Sequence, residues 1–341
     1  MGWLSTSRSH SDMELVDVHA HVVPRTFPAG PHQGIESRWP CMCHRDDGAT
    51  ITIDGKAFRE LDARSWDPSI RIDDMDAMGV GMQAISPMPE LLSYWFKPQA
   101  GLDMCRWTNE QLLEISTLHP GRFVTLASVP LQDPDLASRE LAALKASGAV
   151  GVELGSNING EFLGEVRFHE VFAEAQRLDL AIFIHALHPI GAQRLRSTPE
   201  LVPFAAFPLD TALCAASIIR SGIPETLPDL RIGFSHGGGA IIPIVHRLGK
   251  GAEITNHFAG TLTESPAHYA ARFYYDNLVY DPGYMAYLAN EFAPGHVFCG
   301  TDYPYPIMAT DPAGDIARAA PHDIASVTHL AARQFLNLHR D

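Results

Sequence analysis

Eight short apolar runs, each followed by a stretch of helical periodicity, leave a chain of 341 residues few folds to choose from. Strand-like runs fall at residues 15–19, 82–88, 123–130, 150–155, 181–185, 231–236, 273–278 and 297–302. Between them, segments such as 136–147 and 168–178 carry apolar residues at helical spacing with charges between. Eight β-then-α units predict an α/β fold that closes on itself, a (β/α)8 TIM barrel with a parallel sheet, rather than an open sheet. That barrel is expected to occupy residues 14–341 as one domain, with 1–13 as a disordered leader. Met1-Gly2-Trp3-Leu4-Ser5-Thr6 in the leader formally matches a myristoylation pattern. The main interruption, residues 26–67, is rich in Pro, Gly, His and charge and holds a β-like patch at 49–58. It reads as a small insertion after the first strand, on the face where barrels build their sites.

Composition narrows the function classes. Hydrophobic content of 46% with 19% charged residues describes a soluble globular protein with ample core. A formal net charge of −15, with no Lys/Arg cluster, excludes a nucleic-acid-binding face. No apolar run approaches the ~20 residues of a membrane span. Five cysteines do not make a disulfide framework, and a reducing, cytoplasmic compartment is expected. Cys41-Met-Cys43-His44 reads as free thiols on a loop, since no second pair of ligands sits nearby.

In a barrel, functional residues lie at the C-terminal ends of strands. In "DVHAHVVP", His19 and His21 stand two apart, so one strand would point both imidazoles the same way. His185 ends the fifth run, His236 the sixth and Asp302 the eighth. His19, His21, His185 and Asp302 together could hold one divalent ion, and imidazole with carboxylate suits Zn²⁺, Mn²⁺ being the alternative. His188, in "FIHALHP", rivals His185 but falls beyond the strand, and Asp302 has the other option of capping the turn before Pro304. His236, in "GFSHGGGA", would sit beside the metal and move protons.

These residues, with the middle segments "FRELDARSWDPSIRIDDMDAMGV" (58–80), "SYWFKP" (93–98), "RFVTLASVPLQDPDLA" (122–137) and "YDNLVYDP" (275–282), resemble the amidohydrolase superfamily nearly end to end. The closer resemblance is to its decarboxylase branch, typified by 2-amino-3-carboxymuconate-6-semialdehyde decarboxylase. It implies a (β/α)8 barrel with one catalytic zinc held by His19, His21, His185 and Asp302. It makes His236, with Asp302, the catalytic pair, Arg59 a contact to the substrate carboxylate, and Arg247 an arginine contributed across a homodimer interface. The implied reaction is non-oxidative loss of CO₂ from a small unsaturated or (hetero)aromatic carboxylate, such as a muconate semialdehyde or a hydroxylated benzoate or pyridine carboxylate. Two departures fall on substrate contacts: "HALHPIG" stands where the branch has "HPWD", and "KGAEITNHF" lacks a second arginine. The absent bridging lysine or glutamate after strand four agrees with a single metal, with Glu153 on that strand unassigned.

Two other chemistries remain open on sequence. The same zinc barrel could hydrolyse a lactone or amide. Separately, Gly233-Phe-Ser235-His236-Gly237 satisfies the G-x-S-x-G nucleophile elbow of serine hydrolases, with Asp302 and His329 following in the expected order.

Overall fold

The computed structural model describes residues 15–30, 39–255, 262–319 and 326–338. The leader 1–13 lies outside them, as do residues 31–38 of the insertion. β1 (Leu15–Val22) is followed by the insertion strands β2 (Cys41–Arg45), β3 (Gly48–Ile53) and β4 (Lys56–Leu61). The chain continues through β5 (Val80–Pro87), β6 (Phe123–Ala127), β7 (Gly151–Gly155), the short hairpin β8 (Asn157–Ile158) and β9 (Glu161–Phe162), β10 (Ala181–His185), β11 (Ile232–Phe234), β12 (Tyr274–Asp276) and β13 (Val297–Phe298). Eight of these form one parallel sheet in the order β1-β5-β6-β7-β10-β11-β12-β13. Isolated bridges Asp17–Cys299 and Ala20–Tyr303, with Val18 N donating to Cys299 O at 2.8 Å and His21 N to Tyr303 O at 2.7 Å, close it into the expected barrel.

Local chemistry explains where the elements start and stop. Strands such as β1, β7 and β10 are buried along their whole length, as parallel strands covered on both faces must be. Helix Pro68–Met78 begins with Asp67 capping Ser69 N at 2.9 Å and Pro68 in the first turn; it ends at Gly79 with φ 73°. Helix Pro134–Ala146 starts the same way, Asp133 accepting from Leu136 N at 3.0 Å. Inside the barrel, Val16, Val18, Phe183 and Phe298 pack with Ala332 and Phe335 of the C-terminal helix. Gly233 is required there, because a Cβ would lie 2.9 Å from the Phe335 ring.

Several expectations change. β1 runs on to Val22, while the sixth and eighth barrel strands stop early, before His236 and Asp302. Both residues have left-handed backbones, φ 55° and 61°, which no continuing strand adopts. The functional groups therefore stand just past the strand ends. The insertion is a three-stranded antiparallel sheet, larger than the 49–58 patch, and Ile51 and Leu61 pack with Val23, Met88 and Tyr305 at the barrel mouth. Cys41 and Cys43 are exposed on β2 rather than on a loop. The helical stretch Val202–Ser221 is long and apolar enough for a membrane span by length and composition, but Asp210 and Arg220 interrupt it, so it holds no continuous apolar run of that length. Its buried Asp210 accepts from Asn157 Nδ2 at 3.0 Å and Ile190 N at 2.8 Å, so it serves as barrel wall.

The seam depends on Asp17. Its buried carboxylate accepts from His19 N (3.1 Å), Thr301 N (3.0 Å), Thr301 Oγ1 (2.7 Å) and Gln83 Nε2 (2.9 Å). Asp17→Asn turns an acceptor toward these donors into a donor. Urea unfolding should show a stability loss of about 2–3 kcal/mol with an unchanged m value.

Candidate metal centre and substrate cavity

His19, His21, His185 and Asp302 converge at the C-terminal mouth of the barrel, each at most 6% exposed, with one donor atom apiece lying within 4.8 Å of all the others. Each imidazole has its Nδ1 against an oxygen acceptor: His19 with Asp276 Oδ2 at 2.7 Å, His21 with Pro87 O at 3.1 Å, His185 with Ala186 O at 2.8 Å. Those acceptors assign the hydrogen to Nδ1 and leave every Nε2 lone pair turned toward the centre.

That arrangement could hold a cation. The Nε2 atoms of His19 and His21 face each other at 3.1 Å, and Asp302 Oδ1 is 3.5 and 3.4 Å from them. His185 Nε2 and Asp302 Oδ1 are buried with no hydrogen-bond partner among the described residues. Buried polar atoms are rarely left so, and a divalent ion among the four would satisfy all of them at once. Burial alone would lower the His19 imidazole, but the carboxylates of Asp302, Asp276 and Glu153 outweigh it and raise its pKa to about 9. Burial, then His19 and His21, push His185 well below its ordinary value.

His236 stands beside the four donors, its ring 5.1 Å from that of His185 and 5.4 Å from that of His19. Burial, reinforced by the charge on His19, pushes it down to about 4, so it is a neutral base. Its left-handed backbone is held by Asp276, which accepts from His236 N (2.9 Å) and Gly237 N (2.7 Å). The glycines that follow are needed: Gly239 has φ 60°, and a Cβ on it would strike Pro208 O.

His185, His236 and Asp302 open into a cavity of about 990 Å³. Its lining includes the apolar Phe204, Phe207 and Val279, and Arg59 and Arg64 from the insertion. Arg64 is tied to Asp62 at 2.7 Å. Arg59 lies over the Tyr305 ring, 4.4 Å from its centroid, with the Glu90 carboxylate 4.0 Å away. Arg247 is exposed on helix Ile241–Ile254 and does not line this cavity. His188 is exposed against Trp95, outside the donor set.

The serine-hydrolase alternative finds no support here. Ser235 is fully buried, with an ordinary extended backbone (φ −67°, ψ 161°), and its hydroxyl pairs with His236 Nδ1 at 3.1 Å. A nucleophile elbow needs an exposed serine on a strained turn.

Two acids went unassigned in the sequence. Asp276, in "YDNLVYDP", orients both His19 and the His236 backbone; its place at the end of the seventh barrel strand was the available signal. Glu153 is buried 3.7 Å from His21 Nδ1, and neither of its oxygens has a hydrogen-bond partner among the described residues.

A family model described as amidohydrolase matches residues 16–338. A 2-amino-3-carboxymuconate-6-semialdehyde decarboxylase of Dictyostelium discoideum is 32% identical over 297 residues, 86% of this chain and 82% of that protein. Among solved structures, 5-carboxyvanillate decarboxylase from Sphingomonas paucimobilis matches with a TM-score of 0.78 at 23% identity, covering 96% of this chain and 100% of that one. A dihydroxybenzoic acid decarboxylase from Polaromonas sp. JS666, with bound manganese and the inhibitor 2-nitroresorcinol, gives 0.75 at 20% identity, covering 96% and 98%. At these identities the structural likenesses speak for the fold.

Asp276→Asn removes the carboxylate behind His19 while keeping its shape. Competition with a chelator should show divalent-ion affinity lowered ~10- to 100-fold, with the far-UV circular dichroism unchanged.

Proposed function

The chain belongs to the amidohydrolase family, and from that membership we propose that it is a metal-dependent, non-oxidative decarboxylase of an unsaturated or (hetero)aromatic carboxylate. The observation that carries the proposal is the convergence of three uncommitted imidazole nitrogens and one carboxylate at the floor of a cavity with an arginine in its wall. Three nitrogens and one oxygen suit Zn²⁺, one per chain, with Mn²⁺ as the alternative. Held by His19, His21, His185 and Asp302, the ion would act as a Lewis acid toward a substrate oxygen.

The chain's own groups divide the remaining work. Arg59 pairs with the substrate carboxylate, an arginine fork being suited to that planar anion. The apolar wall of Phe204 and Phe207 takes the face of the ring or diene and keeps water from the reacting carbon. His236 stands in the proton path to the carbon that bears the carboxylate. Once that carbon is protonated, the bond to the carboxylate breaks, its electron pair stays with the carbon framework, and CO₂ departs. No redox cofactor enters this balance. Asp302 serves both as ligand and as the negative charge that steadies a protonated His236. Arg247, turned away from its own cavity, would serve that of a second copy in a homodimer. A cytoplasmic setting fits the five cysteines, none of them paired.

Metal content and CO₂ release, measured on a panel of hydroxybenzoates, pyridine carboxylates and muconate-type acids, test the proposal. About one ion per chain is expected, lost together with CO₂ release in His19→Ala. Ring opening without CO₂ would transfer the site to hydrolysis. His236→Ala should keep its metal and lose ~10²- to 10⁴-fold in kcat. Arg59→Ala should act mainly on KM, raising it ~10-fold or more.

A further inference from the structure

Under Arg59 lies a phenol whose oxygen has nothing to bind. Tyr305 is nine-tenths buried in the cavity wall, three residues beyond Asp302. Its ring stands between two groups of the site: the Arg59 guanidinium 4.4 Å from its centroid, and the His21 ring at 5.4 Å, tilted by 31°. Those contacts use the ring and leave the hydroxyl unexplained. The hydroxyl oxygen is shielded from water and has no hydrogen-bond partner among the described residues. Buried phenols normally find one, because burying an O–H without a bond is unfavourable. A phenylalanine would fill the same space without that penalty, so the hydroxyl is compensated only when something else supplies the partner.

The surroundings say what kind of partner fits. The charged groups that bear on the phenol are Arg59, Glu90, Asp302 and Glu153. Three of these are carboxylates, so a cationic ligand group already has acceptors nearby and no need of the phenol. An anionic oxygen drawn in by Arg59 has the opposite need: the phenol, whose ring lies under that guanidinium, offers an uncommitted donor. We propose that Tyr305 is a substrate-binding residue, its hydroxyl donating to the substrate carboxylate that Arg59 pairs with while its ring keeps that arginine over the metal centre. The inference rests on the carboxylate-binding reading of the cavity. It assigns the phenol and the guanidinium together as the clamp on the group that leaves.

Titration calorimetry on the metal-replete protein tests it with two probes. 2-Nitroresorcinol carries a nitro group of carboxylate shape that does not leave as CO₂; resorcinol lacks the group. Tyr305→Phe should weaken 2-nitroresorcinol roughly 3- to 10-fold, the size of one hydrogen bond, and leave resorcinol unchanged. The thermal midpoint of the ligand-free protein should stay level or rise, since no internal bond is lost. Tyr305→Leu removes the platform as well, and most of the effect of Arg59→Ala on 2-nitroresorcinol should vanish in that background. Equal affinity of Tyr305→Phe and wild type for 2-nitroresorcinol overturns the inference alone, as does a lower thermal midpoint in that variant. Wild type that binds neither probe overturns it together with the carboxylate reading.

Discussion

The closure of β1 against the end of the chain is the constraint on which the rest of the molecule depends. Two of the four candidate ligands lie on the first barrel strand and one follows the last, so they meet only if that seam is made. Backbone bonds across it, including Asp302 N to His19 O at 2.8 Å, fix the aspartate relative to the histidines. The Asp17 carboxylate reinforces the same junction from inside, and its partner Gln83 accepts from the buried Arg71 at 3.0 Å, which in turn donates to His21 O. Four segments far apart in the chain are thereby held by one connected polar network. Such networks confer order only when every member is satisfied, and here the structural members are.

The functional members are not, and the contrast is informative. Asp17, Gln83 and Arg71 have their bonds made, whereas His185 Nε2, Asp302 Oδ1, the Glu153 oxygens and the Tyr305 hydroxyl do not. Burying an unpaired ion or dipole costs a few kcal/mol each. A fold that gathers several of them around one cavity is more stable with a cation and an anionic ligand present than without. The same crowding shifts the histidines in opposite directions: the carboxylates of Asp302 and Asp276 raise the His19 imidazole, while burial lowers those of His236 and His185. One set of identical side chains thus takes on different roles through burial and neighbours.

The cavity walls come from other parts of the molecule. The insertion β2–β4 supplies Arg59 and sits on the barrel mouth through Ile51 and Leu61, while residues 203–208 supply the apolar wall. The insertion lies outside the barrel frame, and the apolar wall is the first part of the barrel-wall stretch Val202–Ser221. Substrate range can therefore change with these segments while the donor set at the strand ends stays put, which is how barrels separate stability from function.

The eight strands, their parallel order and the four side chains that converge at the barrel mouth were legible in the amino-acid sequence. The reason is that buried parallel strands must be apolar along their length, and barrel sites form at known ends of them. The His19–His21 pair was readable because a strand repeats every two residues. Strand ends were misjudged at His236 and Asp302, where left-handed backbone rather than side-chain polarity stops the strand. The surroundings of Asp276, Arg71 and Tyr305 were hidden for a different reason. An aspartate, an arginine and a tyrosine look alike in sequence whether they cap a turn, face solvent or serve a site. What each one does is decided by the partners that the tertiary fold brings within about 3–4.5 Å, across separations in sequence that no local pattern encodes.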